Sequence, residues 1–221
     1  MEEHGPKITG SRRQHVECRP NRDAEREATP QCTRASISAG ATHTLAVVHL
    51  TLIRHAESVW NATGQWQGQS DVPLSPRGRL QVRALSQRMF GETYDHRYCS
   101  DLCRASETAA ALGEPTEPDV RFREIAVGLW AGLRRREVGE RFSDEVDALR
   151  AGEPVRIGGG ESMDEFETRV DTTVEDLRRK HSGQRVLLVT HGGFVRALTT
   201  GVLRVRGRLS PLVGVGNTAI S

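Results

Sequence analysis

Residues 50–61 have the sequence LTLIRHAESVWN, in which an apolar run ends at the charged pair Arg54 and His55. The run from Leu45 to Ile53 is rich in Val, Leu and Thr and is too short to span a membrane, so it predicts a strand buried on both faces. Arg54 and His55 then lie at the carboxyl end of this strand. Ligands of open parallel α/β sheets bind at that end, so the stretch predicts a ligand site there.

The length and the charge of the chain limit what can surround this strand. The 221 residues exceed the length of one small domain, and we expect one α/β domain at residues 44–221 that is preceded by a tail. The net charge is +2, from 31 Lys and Arg against 29 Asp and Glu, and the two signs are mixed along the chain. Such a balance is typical of a solvated surface, so we expect no nucleic-acid partner.

Residues 1–43 differ in composition from the rest of the chain. Arg, Glu, Ser, Thr and Pro dominate the segment, and its isolated apolar residues cannot offset the entropy cost of ordering it. We therefore expect a disordered N-terminal extension. A basic arm and a targeting peptide are the alternatives, but acidic residues such as Glu17 and Asp23 argue against both.

The four cysteines give information on the compartment. Cys18, Cys32, Cys99 and Cys103 show no repeated metal-ligand spacing, and no secretory signal segment precedes them. Cys99 and Cys103 are interpreted as packing residues rather than as a redox pair. The pattern favours a reducing compartment, so we expect a cytoplasmic protein with no membrane partner.

Strand and helix patterns alternate after the first strand. Further strands are predicted near residues 97–100 and 186–190, and helices after Ser75-Pro76, near Leu102, after the capping box at residues 162–165, and after His191-Gly192-Gly193. Between residues 120 and 160 the pattern weakens into short helical pieces and glycines, which indicates a cap or lid beside the sheet and not a core element. The alternation predicts a three-layer α/β/α fold with a mostly parallel central sheet.

Three predicted strands end in residues that suit one anion. Arg54 and His55 end the first strand, Arg104 follows the second, and His191 follows the third. Because the carboxyl ends of parallel strands meet at one edge of the sheet, two arginines and two histidines can converge there. Arginine offers a planar fork of donors that matches phosphate oxygens, and the helix start after His191 presents backbone N–H groups. The pattern predicts a site for a dianion.

A neutral histidine in such a site can serve as a nucleophile or as a metal ligand. The arginines favour the first use, because Arg54 and Arg104 would repel a divalent cation but would stabilise the charge on a transferring phosphoryl group. Taken alone, each residue has an ordinary structural interpretation: a histidine at a strand end is commonly hydrogen-bonded, and Glu124 by itself carries no signal. Their joint occurrence carries the prediction.

An ordered set of motifs runs through the second part of the chain. It consists of Arg54-His55-Ala56, Glu57, Trp60-Asn61, Gln67-Gly68, DVPLS at 71–75, Gly78, Gln81, SDLCRA at 100–105, Thr108-Ala109, Arg123-Glu124, Gly128, Trp130, Gly132, GGES at 159–162, THGG at 190–193 and Arg196. This set resembles the histidine phosphatase superfamily, also called phosphoglycerate mutase-like, whose signature is Arg-His-Gly. The resemblance covers residues 46–221.

The resemblance implies a role for each matching residue. His55 is the nucleophile that forms a phosphohistidine, Glu124 is the acid and the base, and His191 is a catalytic residue that helps to hold the phosphoryl group. The implied substrate-binding residues are Arg54, Asn61, Gln67, Gly68, Arg104 and Gly192. The resemblance implies no metal and no cofactor. The expected partner is a small phosphorylated metabolite, and a homodimer stays open beside a monomer.

Three features depart from the pattern of this family, and one is Glu107, which stands where Gln is common and which we expect to lie on the surface. Ala56 replaces the usual glycine and adds one methyl group at a turn, which we expect to be harmless unless the turn requires a positive φ. The last strand of the family corresponds to a segment that starts near Gly214, and we expect it to be truncated because the sequence stops at Ser221.

The segment after Glu124 bears on the reaction. The phosphoglycerate mutase branch carries Glu-Arg-His-Tyr there and a long insertion that encloses the phosphohistidine, whereas this chain has EIAV at 124–127 and a short segment to Gly160. Water would reach the intermediate, so we predict a metal-independent phosphomonoester hydrolase of the phosphatase branch. Mutase-type phosphoryl transfer and a non-catalytic phospholigand-binding module are the alternatives.

The arginines of the predicted lid bear on the substrate, since they favour a second negative group on it. They are Arg134, Arg135, Arg136, Arg141, Arg150 and Arg156.

Overall fold

The described part of the chain is built on a sheet of four parallel strands. The computed structural model describes residues 47–204 and 214–221, so the predicted disorder of residues 1–43 lies outside the described residues. The strands are β1 (His49–Arg54), β2 (His96–Cys99), β3 (Glu117–Pro118) and β4 (Arg185–Thr190), in the order β1-β4-β2-β3. Each neighbouring pair is parallel, as predicted. The sequence pattern does not predict β3, since two residues are too few to show an alternation.

Helices and short turns connect the strands. The helices are α1 (Val59–Thr63), α2 (Pro76–Arg88), α3 (Cys103–Ala110), α4 (Arg135–Arg141), α5 (Ser143–Ala151), α6 (Met163–Lys180) and α7 (Gly192–Val202). Three 3₁₀ turns lie at Val120–Phe122, Gly128–Trp130 and Ile157–Gly159. No helix among the described residues has both the length and the apolar character that crossing a membrane requires.

Two helix starts are fixed by serine side chains, as the sequence predicts. The hydroxyl of Ser75 accepts from the Gly78 N–H over 2.9 Å, and Pro76 occupies the first helical position, where its missing N–H costs nothing. At the start of α6 the Ser162 hydroxyl accepts from the Glu165 N–H over 3.2 Å, and the Glu165 carboxylate accepts from the Ser162 N–H over 2.9 Å. This reciprocal capping box holds the beginning of α6 in place.

Strand β4 joins the two hydrophobic layers of the fold. Its residues 186–189 are fully buried and alternate between the two faces of the sheet. One face packs against Phe166 of α6 and Phe194 of α7, and the other packs against Leu85 of α2 and Ala105 of α3. Burial of each such aliphatic side chain stabilises the fold by about 1.5–3 kcal/mol. The predicted three-layer α/β/α arrangement is confirmed.

Strand β1 is less buried than the sequence predicts. It starts at His49, whereas the predicted start, Leu45, lies outside the described residues. Of the apolar residues of β1, Leu52 and Ile53 at its carboxyl end are buried, whereas Leu50 is only half-buried. The Leu52 N–H donates to Ser221 over 2.8 Å, and the Ser221 N–H donates back over 3.0 Å. This short antiparallel pairing is the counterpart of the last strand expected after Gly214.

Residues 120–160 were expected to form a lid outside the core, and this expectation is wrong. The segment does consist of short helical pieces, but its apolar residues Phe122, Val127, Trp130 and Val138 are buried in the same cluster as Leu188. Irregular backbone has no fixed hydrophobic period, so the sequence pattern gives no sign of this burial. The segment is therefore one wall of the core and places Glu124 beside the sheet edge.

Candidate active site

Arg54 ends β1, and His55 follows it, so both lie at the carboxyl edge of the sheet. His55 is 3% exposed, and its Nδ1 lies 2.7 Å from the carbonyl oxygen of Ala56. A carbonyl can only accept, so Nδ1 carries the hydrogen and the neutral ring keeps a lone pair on Nε2. Ala56 has no positive φ, and its N–H donates to the Thr108 hydroxyl over 3.0 Å, so the departure from glycine fits this turn.

His191 follows β4 and lies against His55. Their ring centroids are 5.1 Å apart with an interplanar angle of 62°. Nε2 of His191 is 2.8 Å from the hydroxyl of Ser100, which comes directly after β2. The buried Nδ1 has no hydrogen-bond partner among the described residues. Three strand ends therefore meet at this pair of rings, as the sequence predicts.

The surroundings keep both imidazoles neutral at pH 7. Burial, followed by the positive charge of Arg104, holds the pKa of His55 well below its ordinary value. Burial and Arg104 hold the pKa of His191 well below its ordinary value too, and the neighbouring His55 adds to this effect. A neutral His55 is the form that can attack an electrophile, since a protonated ring has no free lone pair.

Arg104 is a fully buried side chain that backbone carbonyls hold in place. It donates from Nη1 to Ser70 over 2.7 Å and from Nη2 to Gly68 over 2.8 Å. Burial lowers its pKa, and the carboxylate of Glu124 opposes this shift. Nε of Arg104 and Nε of Arg54 are buried and have no hydrogen-bond partner among the described residues. Buried donors without acceptors are costly, so these two N–H groups are suited to an incoming anion.

Gly68 was predicted to bind substrate, but the structure gives it another task. It does not line the cavity beside His55, and its carbonyl instead accepts from Arg104. Its φ is +51°, and a Cβ at this position would lie 2.6 Å from Cγ2 of Val127. The glycine is therefore required so that the chain can turn close to residue 127 and present its carbonyl to Arg104.

Glu124 reaches the same edge from the loop after the first 3₁₀ turn. Its Oε2 accepts from the Gly193 N–H over 2.9 Å, and its Oε1 accepts from the Ile125 N–H over 3.0 Å. Gly193 lies in the first turn of α7, where backbone N–H groups favour a negative charge. Sequence reasoning assigned Gly192 to the site and matched Gly193 within the THGG motif without giving it a role, so it missed the contact between Gly193 and Glu124.

Asn61 and Gln67 lie where the sequence places them, in the wall of the cavity. Oδ1 of Asn61 accepts from the Ser58 N–H over 3.2 Å, and Gln67 accepts from the Ser58 hydroxyl over 2.6 Å. Sequence reasoning missed Asn217, whose Nδ2 donates to the carbonyl of His55 over 3.0 Å and to Oδ1 of Asn61 over 3.3 Å. The sequence pointed to Asn217 only through its position in the last predicted strand.

These residues surround a cavity of about 380 Å³. Its lining comprises Arg54, His55, Asn61, Gly64, Gln65, Trp66, Gln67, Arg104, Glu124, Ile125, Arg135, Gly192, Gly193 and Arg196. Four of these side chains are arginines and one is a carboxylate, so the cavity suits an anion. His191 does not line the cavity and contacts it through the ring of His55.

The cluster of lid arginines is largely absent from the cavity, which corrects the expectation. Of the six, only Arg135 lines it. Three others form exposed ion pairs with acidic residues: Arg136 with Glu140, Arg150 with Asp147 and Arg156 with Glu165. Arg196 of α7 was matched in the sequence but was not assigned to the site, and it takes a place in the lining.

Comparison with known sequences decides the family. The sequence model of the histidine phosphatase superfamily (branch 1) matches residues 50–221. The chain belongs to this superfamily. It is a histidine phosphatase, and the fold and enzyme class predicted from its motifs are confirmed.

Three relatives illustrate the range of this superfamily. Phosphoserine phosphatase 1 of Hydrogenobacter thermophilus is 35% identical over 164 residues, which cover 72% of this chain and 78% of that protein. A probable phosphoglycerate mutase, GpmB, of Photorhabdus laumondii is 33% identical over 186 residues, covering 79% and 84%. The crystal structure of a phosphoserine phosphatase mutant from Entamoeba histolytica, in complex with phosphoserine, has a TM-score of 0.72 at 26% identity and covers 79% of this chain and 89% of that one.

Proposed function

We propose that this histidine phosphatase hydrolyses small phosphomonoesters by transferring the phosphoryl group to Nε2 of His55. The observation that carries the proposal is the hydrogen bond between Nδ1 of His55 and the carbonyl of Ala56, at 2.7 Å. It fixes the tautomer in which Nε2 has a lone pair, and the lowered pKa of His55, caused by burial and Arg104, keeps the ring in this form.

In the first half-reaction Nε2 of His55 attacks phosphorus, and the bond from phosphorus to the ester oxygen breaks. The leaving oxygen takes a proton from the carboxylic acid of Glu124, and an alcohol departs. Arg54 and Arg104 stabilise the charge on the three equatorial oxygens, because their buried Nε groups have no hydrogen-bond partner among the described residues. Asn61, Gln67 and the N–H of Gly192 at the start of α7 add further donors around the phosphoryl group.

In the second half-reaction water attacks the phosphohistidine. The carboxylate of Glu124 takes a proton from this water, the bond between phosphorus and Nε2 breaks, and inorganic phosphate leaves. His55 returns to its neutral form and Glu124 to its acid form. One carboxyl group therefore serves both steps in opposite directions, with no net gain or loss of protons on the enzyme.

His191 is assigned to the support of His55 and the phosphoryl group. Its Nε2 lies 2.8 Å from the hydroxyl of Ser100, so its ring orientation is fixed, and its ring packs against that of His55. The arginines also argue for a reaction without a metal: a divalent cation at the two histidines would face the charges of Arg54 and Arg104. Their guanidinium groups supply the electrostatic stabilisation that a metal would give.

The substrate class that fits the cavity is a small phosphomonoester with a second negative group, such as a phosphorylated acid. Arg135 and Arg196 line the cavity in addition to the two arginines beside His55. Arg135 adds a cationic side chain to the cavity beside Arg54 and Arg104, so a carboxylate on the substrate finds a partner there. The relatives whose names refer to phosphoserine and phosphoglycerate support this choice, since both compounds carry a carboxylate.

A panel of substrates tests the function. Phosphate release is measured with phosphoserine, 3-phosphoglycerate, glycerol phosphate and a neutral aryl phosphate, and the acidic metabolites are expected to give the highest kcat/KM. The Arg135→Gln variant should reduce this preference, whereas Arg150→Gln, on the exposed surface of α5, should leave it unchanged. Equal kcat/KM values for acidic and neutral esters would contradict the substrate class.

The same panel separates hydrolysis from mutase activity. With 3-phosphoglycerate and added bisphosphoglycerate, a hydrolase gives phosphate and glycerate, whereas a mutase gives 2-phosphoglycerate. We expect phosphate.

Three further features stay predictions from the sequence. They are the cytoplasmic location, the choice between monomer and homodimer, and the division into an extension at residues 1–43 and a domain at residues 44–221.

A further inference from the structure

Arg169 lies on α6 and does not line the cavity, yet all five N–H groups of its guanidinium have acceptors. Nη1 donates to the carbonyl of Arg121 over 2.9 Å and to that of Arg123 over 3.0 Å. Nη2 donates to the carbonyl of Glu124 over 3.2 Å. The remaining N–H groups, on Nε and Nη2, donate to the two carboxylate oxygens of Glu161, each over 2.8 Å.

Glu161 fastens the other end of the same loop. Its Oε2 accepts from the Ala126 N–H over 2.8 Å, and its own N–H donates to the Ala126 carbonyl over 2.8 Å. The side chains of Arg169 and Glu161 are each 21% exposed, so solvent screens this bidentate pair less than it screens an ion pair on the open surface. The two residues together hold residues 121–126 from both ends.

The sequence explains why Arg169 reaches this loop. The capping box of Ser162 and Glu165 fixes the start of α6, so residues two turns further on have a defined direction. Arg169 lies about one turn after Phe166, whose ring it covers at 5.0 Å. The loop itself has only one short 3₁₀ turn, at Val120–Phe122, and therefore depends on side chains to hold its carbonyls.

We propose that Arg169, paired with Glu161, is a positioning residue that holds the loop of residues 121–126 so that the Glu124 carboxyl group meets the leaving oxygen of the substrate. The proposal rests on the acid and base role of Glu124 proposed above. Arg169 touches neither the cavity nor the phosphoryl group, and it acts on the reaction through the backbone of Glu124. Lysine cannot replace Arg169, because its single ammonium nitrogen has three N–H donors, whereas the planar guanidinium of Arg169 makes five hydrogen bonds.

The test compares two esters in the first half-reaction, under single-turnover conditions. An alkyl phosphate needs a proton on its leaving oxygen, whereas a nitrophenyl phosphate leaves without one. A displaced acid costs about 10²-fold for the alkyl ester, the usual effect of a misplacement near 1 Å. Arg169→Met and Arg169→Lys are both expected to show this loss and to change the rate with the nitrophenyl ester much less. Arg179→Met, which removes an exposed arginine paired with Asp176 on the same helix, is the control and should change neither rate.

A double-mutant cycle with Glu124→Gln decides whether Arg169 acts through Glu124. When Glu124 is already replaced by glutamine, adding Arg169→Met is expected to lower the rate with the alkyl ester only slightly further. The carboxylic acid that Arg169 positions is then already absent. The proposal would be overturned if the rate losses of Arg169→Met and Glu124→Gln multiplied in the double variant. It would also be overturned if Arg169→Met slowed the two esters equally. If Arg169→Met folds poorly, Glu161→Gln carries the same test, since it weakens the pair and leaves the arginine in place. A Glu124→Gln variant with normal alkyl rates would instead contradict the proposed function.

Discussion

The carboxylate of Glu124 accepts a hydrogen bond from the backbone N–H of Gly193 over 2.9 Å, and it fills the space that a side chain at residue 193 would need. A Cβ built on Gly193 would lie 2.1 Å from Oε1 of Glu124. The two residues are 69 positions apart in the sequence. The place of the proposed acid therefore depends on the second glycine after His191.

Replacement of Gly193 by alanine should move the acid and leave the fold in place. The methyl group must displace the Glu124 carboxylate, so we expect kcat/KM for an alkyl phosphate to fall by about 10²-fold, as for a comparable misplacement of a reacting group. Gly139→Ala, on α4, is the matched control because its Cβ meets open space. The control should keep full activity and gain up to about 1 kcal/mol in the free energy of unfolding. A fully active Gly193→Ala enzyme would show that Glu124 does not need this position.

Replacement of Glu124 by glutamine tests the acid directly. The variant keeps the size of the side chain but has no carboxylic proton, so an alkyl phosphate should react about 10²- to 10⁴-fold more slowly in the first half-reaction. A nitrophenyl phosphate should be affected less, since its leaving group is stable as an anion. Rapid-quench measurement of leaving-group release with the two esters gives the comparison. Equal slowing of both esters would exclude Glu124 as the general acid.

The parts of the site that the sequence predicts are those that follow directly from strand ends. Arg54, His55 and His191 come next to buried strands, and a parallel sheet brings such positions together whatever the details of packing. Arg104 lies on the helix after β2, and its approach to the site follows from the same topology. These assignments depend on local patterns that a single chain displays.

Other parts depend on contacts that no local pattern reveals. Gly68 acts through its backbone carbonyl, and Gly193 acts because it has no side chain. The sequence does not distinguish either glycine from one that only permits an ordinary turn. Asn217 contacts the backbone of His55, and Arg169 contacts the backbone of Glu124, and each lies far from its partner in the sequence. The burial of Trp130 was missed because irregular backbone gives no hydrophobic period.

The two buried histidines of the site predict how the free energy of unfolding depends on pH, and His181, which is also buried and whose pKa burial also lowers, acts in the same direction. Burial, with Arg104, lowers the pKa of His55 and of His191 well below the ordinary value, whereas in the unfolded chain both rings bind a proton below about pH 6.5. The unfolded state then binds more protons than the folded state, so the free energy of unfolding falls as the pH drops below that value. The slope approaches about 1.4 kcal/mol per pH unit for each histidine.

Urea denaturation between pH 7.5 and 5 measures this slope. His191→Asn should reduce it, and His49→Asn, at an exposed position of β1, is the control. A wild-type protein whose stability does not change between pH 6.5 and 5.5 would contradict neutral, buried histidines. The effect is separate from catalysis, so it can be measured on the enzyme without substrate.

The central claim is that His55 carries the phosphoryl group during turnover, without a metal. Wild-type enzyme is mixed with a ³²P-labelled phosphomonoester, with and without EDTA, and quenched in denaturant within one turnover. We expect a protein-bound label that is stable in base and labile in acid, equal in both samples, and absent together with phosphate release in His55→Ala. Substantial phosphate release by His55→Ala, or loss of the label on addition of EDTA, would contradict the account.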